Sequence, residues 1–231
     1  MTETEPDGHI DRTPDGVWTT LDEAWTEAFR QAWEALRTGN VPVGACVSTP
    51  DGRLVHAARN RVSDDSGPPG EVWGSQLAHA EINALARVPY RKHENLVITT
   101  TLEPCLQCSA AIRLAGIRTV RFAGADRAWD GCHEFARLSA REASHRQPER
   151  HGPRDDELGA FAALISRIGP AVNGSGEFER WLRDTGEGAT VDLGRRLQAD
   201  GTLERLLTRE VGDAFAELWP LLRDLRSTLA A

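Results

Sequence analysis

His79 and Glu81 stand two positions apart in the apolar run LAHAEINAL (77–85), and Cys105 and Cys108 stand three apart in PCLQC (104–108). Cysteines at i and i+3 on a helix lie near one face, and a helix N-terminus favours the thiolate form that zinc requires. Adding the imidazole of His79 gives three protein ligands for a tetrahedral Zn²⁺, with a fourth position open for water, as in catalytic rather than structural sites. Zinc lowers the pKa of such a water from 15.7 to about 7. A carboxylate two residues from a metal-bound imidazole can reach that water without ligating the metal, so Glu81 is the expected proton carrier. Each element has a blander reading alone. A histidine on an apolar helix is more often packed in a core, and a Cys-x-x-Cys pair also serves redox chemistry or half of a structural zinc knot. A structural site needs a fourth Cys or His. Of the other two cysteines, Cys46 lies inside an apolar strand and reads as a small core residue, leaving Cys132.

The elements around these residues alternate. Thr20 and Glu23 form a capping-box pattern before a helix with apolar residues at Trp25, Ala28, Phe29, Ala32, Trp33 and Leu36, closed by Gly39. VGACVS (43–48) and LVHAARN (54–60), separated by a PDG turn, predict a β-hairpin. A Gly/Pro-rich loop over 63–75 leads into a helix over 78–87, a β-branched strand at 96–101, a helix that begins near Pro104 and closes at Gly116, and a strand at 119–124. This alternation predicts a layered α/β domain. From about residue 132 the pattern is mostly helical: 146–156 reads as a linker or exposed turn, while 157–168 and 203–219 are amphipathic and Pro220 kinks or ends the last helix. The expected organisation is a disordered leader at 1–17, a zinc-dependent domain at 18–145 and a helical C-terminal extension at 146–231, which could pack on the domain, shape a pocket or mediate association.

The chain has 231 residues, 40% hydrophobic and 27% charged, the composition of an ordinary globular protein. No apolar run approaches the roughly 18–20 residues that span a bilayer, and the acidic, polar start is not a secretory signal. Metal-type cysteine spacing points to a reducing cytoplasm. The net charge of −8 divides evenly, −4 over residues 1–152 and −4 over 153–231, and gives little help toward a phosphate backbone, which disfavours a nucleic-acid partner.

His-x-Glu followed by Pro-Cys-x-x-Cys is the signature of zinc nucleobase deaminases. With VPVGACV (41–47), ARN ending at Asn60, HAEINAL (79–85), TLEPCLQC (101–108) and FAGAD (122–126), the first 145 or so residues resemble the cytidine/deoxycytidylate deaminase superfamily, nearest its tRNA adenosine deaminase and guanine deaminase branch. The resemblance implies a three-layer α/β/α fold with a mixed central sheet, Zn²⁺ on His79, Cys105 and Cys108, and Glu81 as proton shuttle. It further implies a base contact from Asn60, backbone N–H stabilisation from Ala80, a sugar or base contact from Asp126, and a homodimer with an interface on the Trp-rich first helix or the tail. A histidine as first ligand separates the chain from the small cytidine deaminases, which use cysteine there. The 18 residues between Asn60 and His79 exceed the tRNA enzymes' loop and contain Trp73 between Gly70 and Gly74. Trp73 as a mobile lid on a flat ring would suit a small substrate, and Trp129 is a second stacking candidate; both could equally pack on the surface. The expectation is a small nucleobase or nucleoside substrate, a purine such as guanine or adenine favoured. The alternatives are a tRNA-editing adenosine deaminase and a deaminase-like binding or regulatory module without catalysis.

Overall fold

The apolar periodicity of the first long helix becomes one buried face. In the computed structural model, which describes residues 13–89, 95–168 and 176–229, α2 (Glu23–Arg37) buries Trp25, Ala28, Phe29, Ala32, Trp33 and Leu36. Asp22 caps it, its carboxylate accepting from the Trp25 amide at 3.0 Å, so Thr20 is not the cap that the capping-box spacing predicts. Thr20 ends a short α1 (Pro14–Thr19), which has Thr13 as N-cap and Pro14 in its first turn. The expected leader at 1–17 is thereby corrected from Pro14 onward, and Trp18 sets its ring 5.9 and 5.4 Å from those of Phe29 and Phe215. Residues 1–12 of that leader lie outside the described residues.

The predicted hairpin pairs β1 (Gly44–Ser48) antiparallel with β2 (Leu54–Arg59). β1 also pairs antiparallel with β3 (Val97–Leu102), and β3, β4 (Thr119–Gly124) and β5 (Glu149–His151) run parallel, giving a mixed sheet of order β2-β1-β3-β4-β5. Alternate residues of each strand face opposite layers. On one face Ala45, Val47, Ile98, Val120 and Phe122 pack with α3 (Ala80–Ala86) and with Ile112 of α4 (Leu106–Ala115). On the other, Cys46 packs with Ala24 and Ala28 of α2, and Ala123 joins the core of α2 and α6 (Glu157–Ser166). This is the expected three-layer α/β/α sandwich. Gly44 permits the closest approach in it: a Cβ there would lie 2.1 Å from the Ala28 carbonyl oxygen.

The C-terminal region departs from its sequence reading. β5 falls within the predicted linker, and a short α5 (Ala140–Ser144) precedes it. α6 is not amphipathic in place: every residue but Ala163 is buried, because it lies between the sheet and the helices that follow, and a helix apolar on all sides is one packed on all sides. Beyond it come α7 (Gly176–Leu182), α8 (Gly188–Ala199), α9 (Thr202–Leu206) and α10 (Val211–Leu229). Pro220 neither ends nor divides α10; it occupies an exposed position where the freed carbonyl can be hydrated. One apolar core joins Trp25, Phe29 and Trp33 to Phe161, Phe215 and Leu222, so the 145/146 boundary does not separate two cores. Trp25 and Trp33 are spent on this core, at 4% and 2% exposure, so the tryptophans of α2 are not free to form an interface. Among the described residues no helix is long and apolar enough to cross a membrane.

Candidate active site and metal centre

The chemistry-bearing residues sit at the N-terminal ends of two neighbouring helices. His79 is the N-cap of α3 and Cys105 the N-cap of α4, both with extended backbone and neither making the side-chain bond that usually satisfies a helix end. Their side chains turn toward each other instead. The Nδ1 atom of His79 lies 3.5 Å from the Cys105 Sγ and 3.4 Å from the Cys108 Sγ, and the three donor atoms fall within 4.8 Å of one another. A tetrahedral zinc with Zn–N of about 2.0 Å and Zn–S of about 2.3 Å has N···S edges of about 3.5 Å. The donor set and its spacing fit zinc. Contact with the Cys108 sulfur, together with His79, brings the Cys105 thiol down to about 4. The same contact and deep burial hold Cys108 well above the usual thiol range. Contact with Cys105 raises the His79 imidazole. A bound divalent cation would let both sulfurs carry charge, since coordination deprotonates a thiol.

Glu81, in the first turn of α3, is 3% exposed. One carboxylate oxygen accepts from the Thr100 hydroxyl at 3.0 Å and the other faces the Cys108 Sγ at 3.3 Å. Burial raises its pKa, with the negative character of Cys105 adding to the effect. A buried carboxylate is costly unless paired, and neither of these partners is a cation. It is therefore placed beside the metal position with a raised proton affinity, the property a proton carrier needs.

The other expected site residues separate into two groups. Asn60 is 3% exposed, and its Oδ1 accepts from the Val62 amide at 3.1 Å while Nδ2 makes no hydrogen bond among the described residues. Ala80 is the first residue of α3, where the amide has no intrahelical acceptor. Both keep a donor for a ligand. Asp126, by contrast, is committed: it is buried, accepts from the Ala128 amide at 3.3 Å and pairs with Arg167 at 3.2 Å. Trp129 ends the helical turn Arg127–Trp129 and is 41% exposed. Trp73 is 45% exposed and rests on Gly67, where a Cβ would lie 2.4 Å from the indole. Its loop is pinned rather than free to swing. Asp64 holds Arg59, Arg61 and Asn40 at 2.8, 2.9 and 2.6 Å. Glu71 binds Arg61 at 2.6 Å, and Asn83 of α3 exchanges two hydrogen bonds with the Val72 backbone at 2.7 and 3.0 Å.

Sequence reasoning missed Thr100, Asn83 and Arg167, which hold Glu81, the Val72 backbone and Asp126. Asn83 had a signal, an amide four residues after His79 on the same helix face. Thr100 had none, being one of three consecutive threonines that serve equally as strand formers.

The cytidine and deoxycytidylate deaminase zinc-binding region model matches residues 19–124, which contain all three donors and Glu81. A tRNA-specific adenosine deaminase from Aquifex aeolicus is 33% identical over 146 residues, covering 61% of this chain and 91% of the relative. The Xenopus tropicalis tRNA-specific adenosine deaminase 2 is 31% identical over 116 residues, covering 46% and 63%. The chain thus spans less than two thirds of the length of the Xenopus tropicalis and Xenopus laevis relatives, 63% and 65%. A solved structure from work on A-to-I editing by tRNA:A34 deaminases overlays with a TM-score of 0.49 at 24% identity, over 60% of this chain and 97% of that one. A zinc-type donor set at two helix starts, an adjacent buried glutamate, the family match across them and near-complete coverage of a 33% identical relative agree: the chain belongs to the cytidine and deoxycytidylate deaminase family.

Proposed function

We propose that the protein hydrolyses an exocyclic amine on a free nucleobase or nucleoside, a purine such as guanine or adenine favoured, to a carbonyl and ammonia. The observation that supports this best is Glu81, buried without a cation partner beside the His79, Cys105 and Cys108 donors. A site retired from catalysis has no use for it. Bound zinc supplies Lewis acidity that makes water nucleophilic at neutral pH. Glu81 takes one proton from that water as the C–O bond forms and passes it to a ring nitrogen; it then takes the remaining hydroxyl proton of the adduct and delivers it to the amine as the C–N bond breaks, so that amine plus water becomes carbonyl plus ammonia. Thr100 fixes one oxygen of Glu81 and leaves the other for this traffic. Asn60 Nδ2 and the Ala80 N–H orient the ring and meet charge that develops at the reacting carbon. The exposed Trp73 and Trp129 offer apolar faces to a flat ring.

Deamination of adenosine in tRNA is the second reading, favoured by the names of the Aquifex and Xenopus relatives. Ammonia release from guanine, adenine, cytosine, their nucleosides and an anticodon stem-loop separates the two. Turnover of a free base or nucleoside supports the proposal. Turnover of the stem-loop alone, with a rate that falls steeply with salt, replaces it, and no ammonia from any of them removes both.

A further inference from the structure

The C-terminal helices reach the zinc end of the sheet through one buried arginine. Arg167, just past α6, is 3% exposed. Its Nε and Nη2 donate to the two carboxylate oxygens of Glu187 at 2.6 and 3.1 Å, and Nη2 also donates to Asp126 Oδ1 at 3.2 Å. Glu187 and Asp126 are themselves buried, at 5% and 7% exposure. Glu187 follows Gly186, whose φ of 91° lies where side-chain-bearing residues rarely go, and this turn leads directly into α8.

Asp126 carries the arrangement onward. Its carboxylate and carbonyl accept from the Ala128 and Trp129 amides at 3.3 and 2.9 Å, shaping the turn that ends in Trp129. Its own N–H donates to Glu103 Oε2 at 3.4 Å, and the other oxygen of Glu103 accepts from Arg150 at 2.7 Å. Glu103 stands two residues before Cys105. Further along, the Cys132 Sγ lies 3.6 Å from the Pro104 carbonyl oxygen and 3.8 Å from the Ser109 hydroxyl. Residues 126–132 are therefore strapped at both ends to the loop and first turn that carry Cys105, and Arg167 holds the first of these anchors from behind. Apolar residues of similar volume would stabilise a core as well as a buried ion triad. What the guanidinium fork adds is fixed geometry between two carboxylates.

We propose that Arg167 is a positioning residue for substrate binding: anchored by Glu187, it sets residues 126–132 against the Glu103–Cys105 loop, so the C-terminal helices govern how well the amino-substituted ring is held. The kinetic part rests on the deaminase reading of the site; the structural part does not. Arg167→Lys keeps the charge but loses the fork, and Glu187→Gln weakens the anchor while keeping its shape. Leu197→Ala, a cavity in the same C-terminal core at a side chain without a polar group to join the triad, is the comparator. Zinc content, amide hydrogen exchange and steady-state kinetics on guanine, or on the panel compound turned over fastest, are measured for all three. In R167K and E187Q the expected result is wild-type zinc content, exchange at residues 127–132 at least tenfold faster, and a KM at least tenfold higher with kcat changed less than threefold. L197A should show neither change. Unaltered exchange at 127–132 in a folded, zinc-loaded variant, or an equal KM rise in L197A, overturns the proposal. If R167K does not fold, E187Q decides. Should wild type release no ammonia, the catalytic reading fails separately, while the exchange data still decide whether Arg167 holds the strap.

Discussion

Phe161→Ala probes whether the C-terminal helices and the zinc-bearing sandwich unfold together. Phe161 is fully buried, with ring centroids 5.7, 6.1 and 5.5 Å from Phe29, Trp33 and Phe215. Removing its ring forfeits roughly 1.5–3 kcal/mol of apolar burial, and each aromatic pair adds about 0.5–1.5 kcal/mol, though the pairs share one ring and do not sum fully. The expected loss is about 4 kcal/mol, inside the roughly 3–5 kcal/mol typical of Phe→Ala in a core. With a urea slope of about 2–3 kcal/mol per molar, the midpoint falls by about 1.3–2 M. Because Phe29 and Trp33 lie on α2, across the sheet from the donors, the loss should be felt at the metal centre too. Urea unfolding is followed in parallel by circular dichroism and by zinc release to a chromophoric chelator, and both midpoints should fall together. A zinc-release midpoint left at its wild-type value, with an earlier separate loss of helix, would refute the shared core.

Other outcomes follow from the site and its loop. Glu81→Gln should retain zinc and the Thr100 bond yet lower kcat by about 10²–10⁴-fold; undiminished deamination, read as ammonia release, rules out the proton-carrier role. Cys108→Ser should reduce zinc affinity at least about 100-fold, beyond the ~10–100-fold cost of losing an outer-shell partner, as measured by competition with a chelator. Burial works to raise the Asp64 pKa, but hydrogen bonds from Arg59, Asn40 and Arg61 prevail and hold it below the usual carboxylate range. Its stabilisation is therefore complete above the unfolded-state pKa of about 3.9 and is lost as pH falls through the lower folded value. The stability gap between wild type and Asp64→Asn, measured by urea melts from neutral pH downward, should stay constant to about pH 4 and then close. A gap unchanged across the acid range contradicts this.

The metal site was legible because its chemistry is local. Within each helix the spacing of His79 and Glu81, and of Cys105 and Cys108, fixes which side chains share a face, and the deaminase signature joins the two pairs; Gly116 marked the end of α4, where the chain takes a left-handed φ of 77°. The hairpin was legible for the same reason, as was the strand at 119–124. What was not legible depends on partners distant in sequence. The capping choice between Thr20 and Asp22 turns on whether α1 forms and docks Trp18 against Phe215, almost 200 residues away. α6 reads as amphipathic until α10 covers its outer side. β5 is three residues long, too short to show strand alternation, and becomes a strand only by pairing with β4. The pinned loop is similar: Trp73 flanked by glycines looks mobile, and only the meeting of Asp64 and Glu71 with arginines on β2 and beside it shows otherwise.

The order of strands carries a further consequence. β5 and α6 lie outside the stretch that matches the family, yet one closes the parallel side of the sheet and the other floors it. A fragment trimmed after Gly124 would bare the hydrogen-bonding rim of β4 along with Ala123 and the aromatic side of α2, an open seam prone to self-association. The catalytic motifs can be excised on paper, but the working sandwich cannot be detached from its tail. Grafting or shortening this protein has to begin with a replacement for that missing wall.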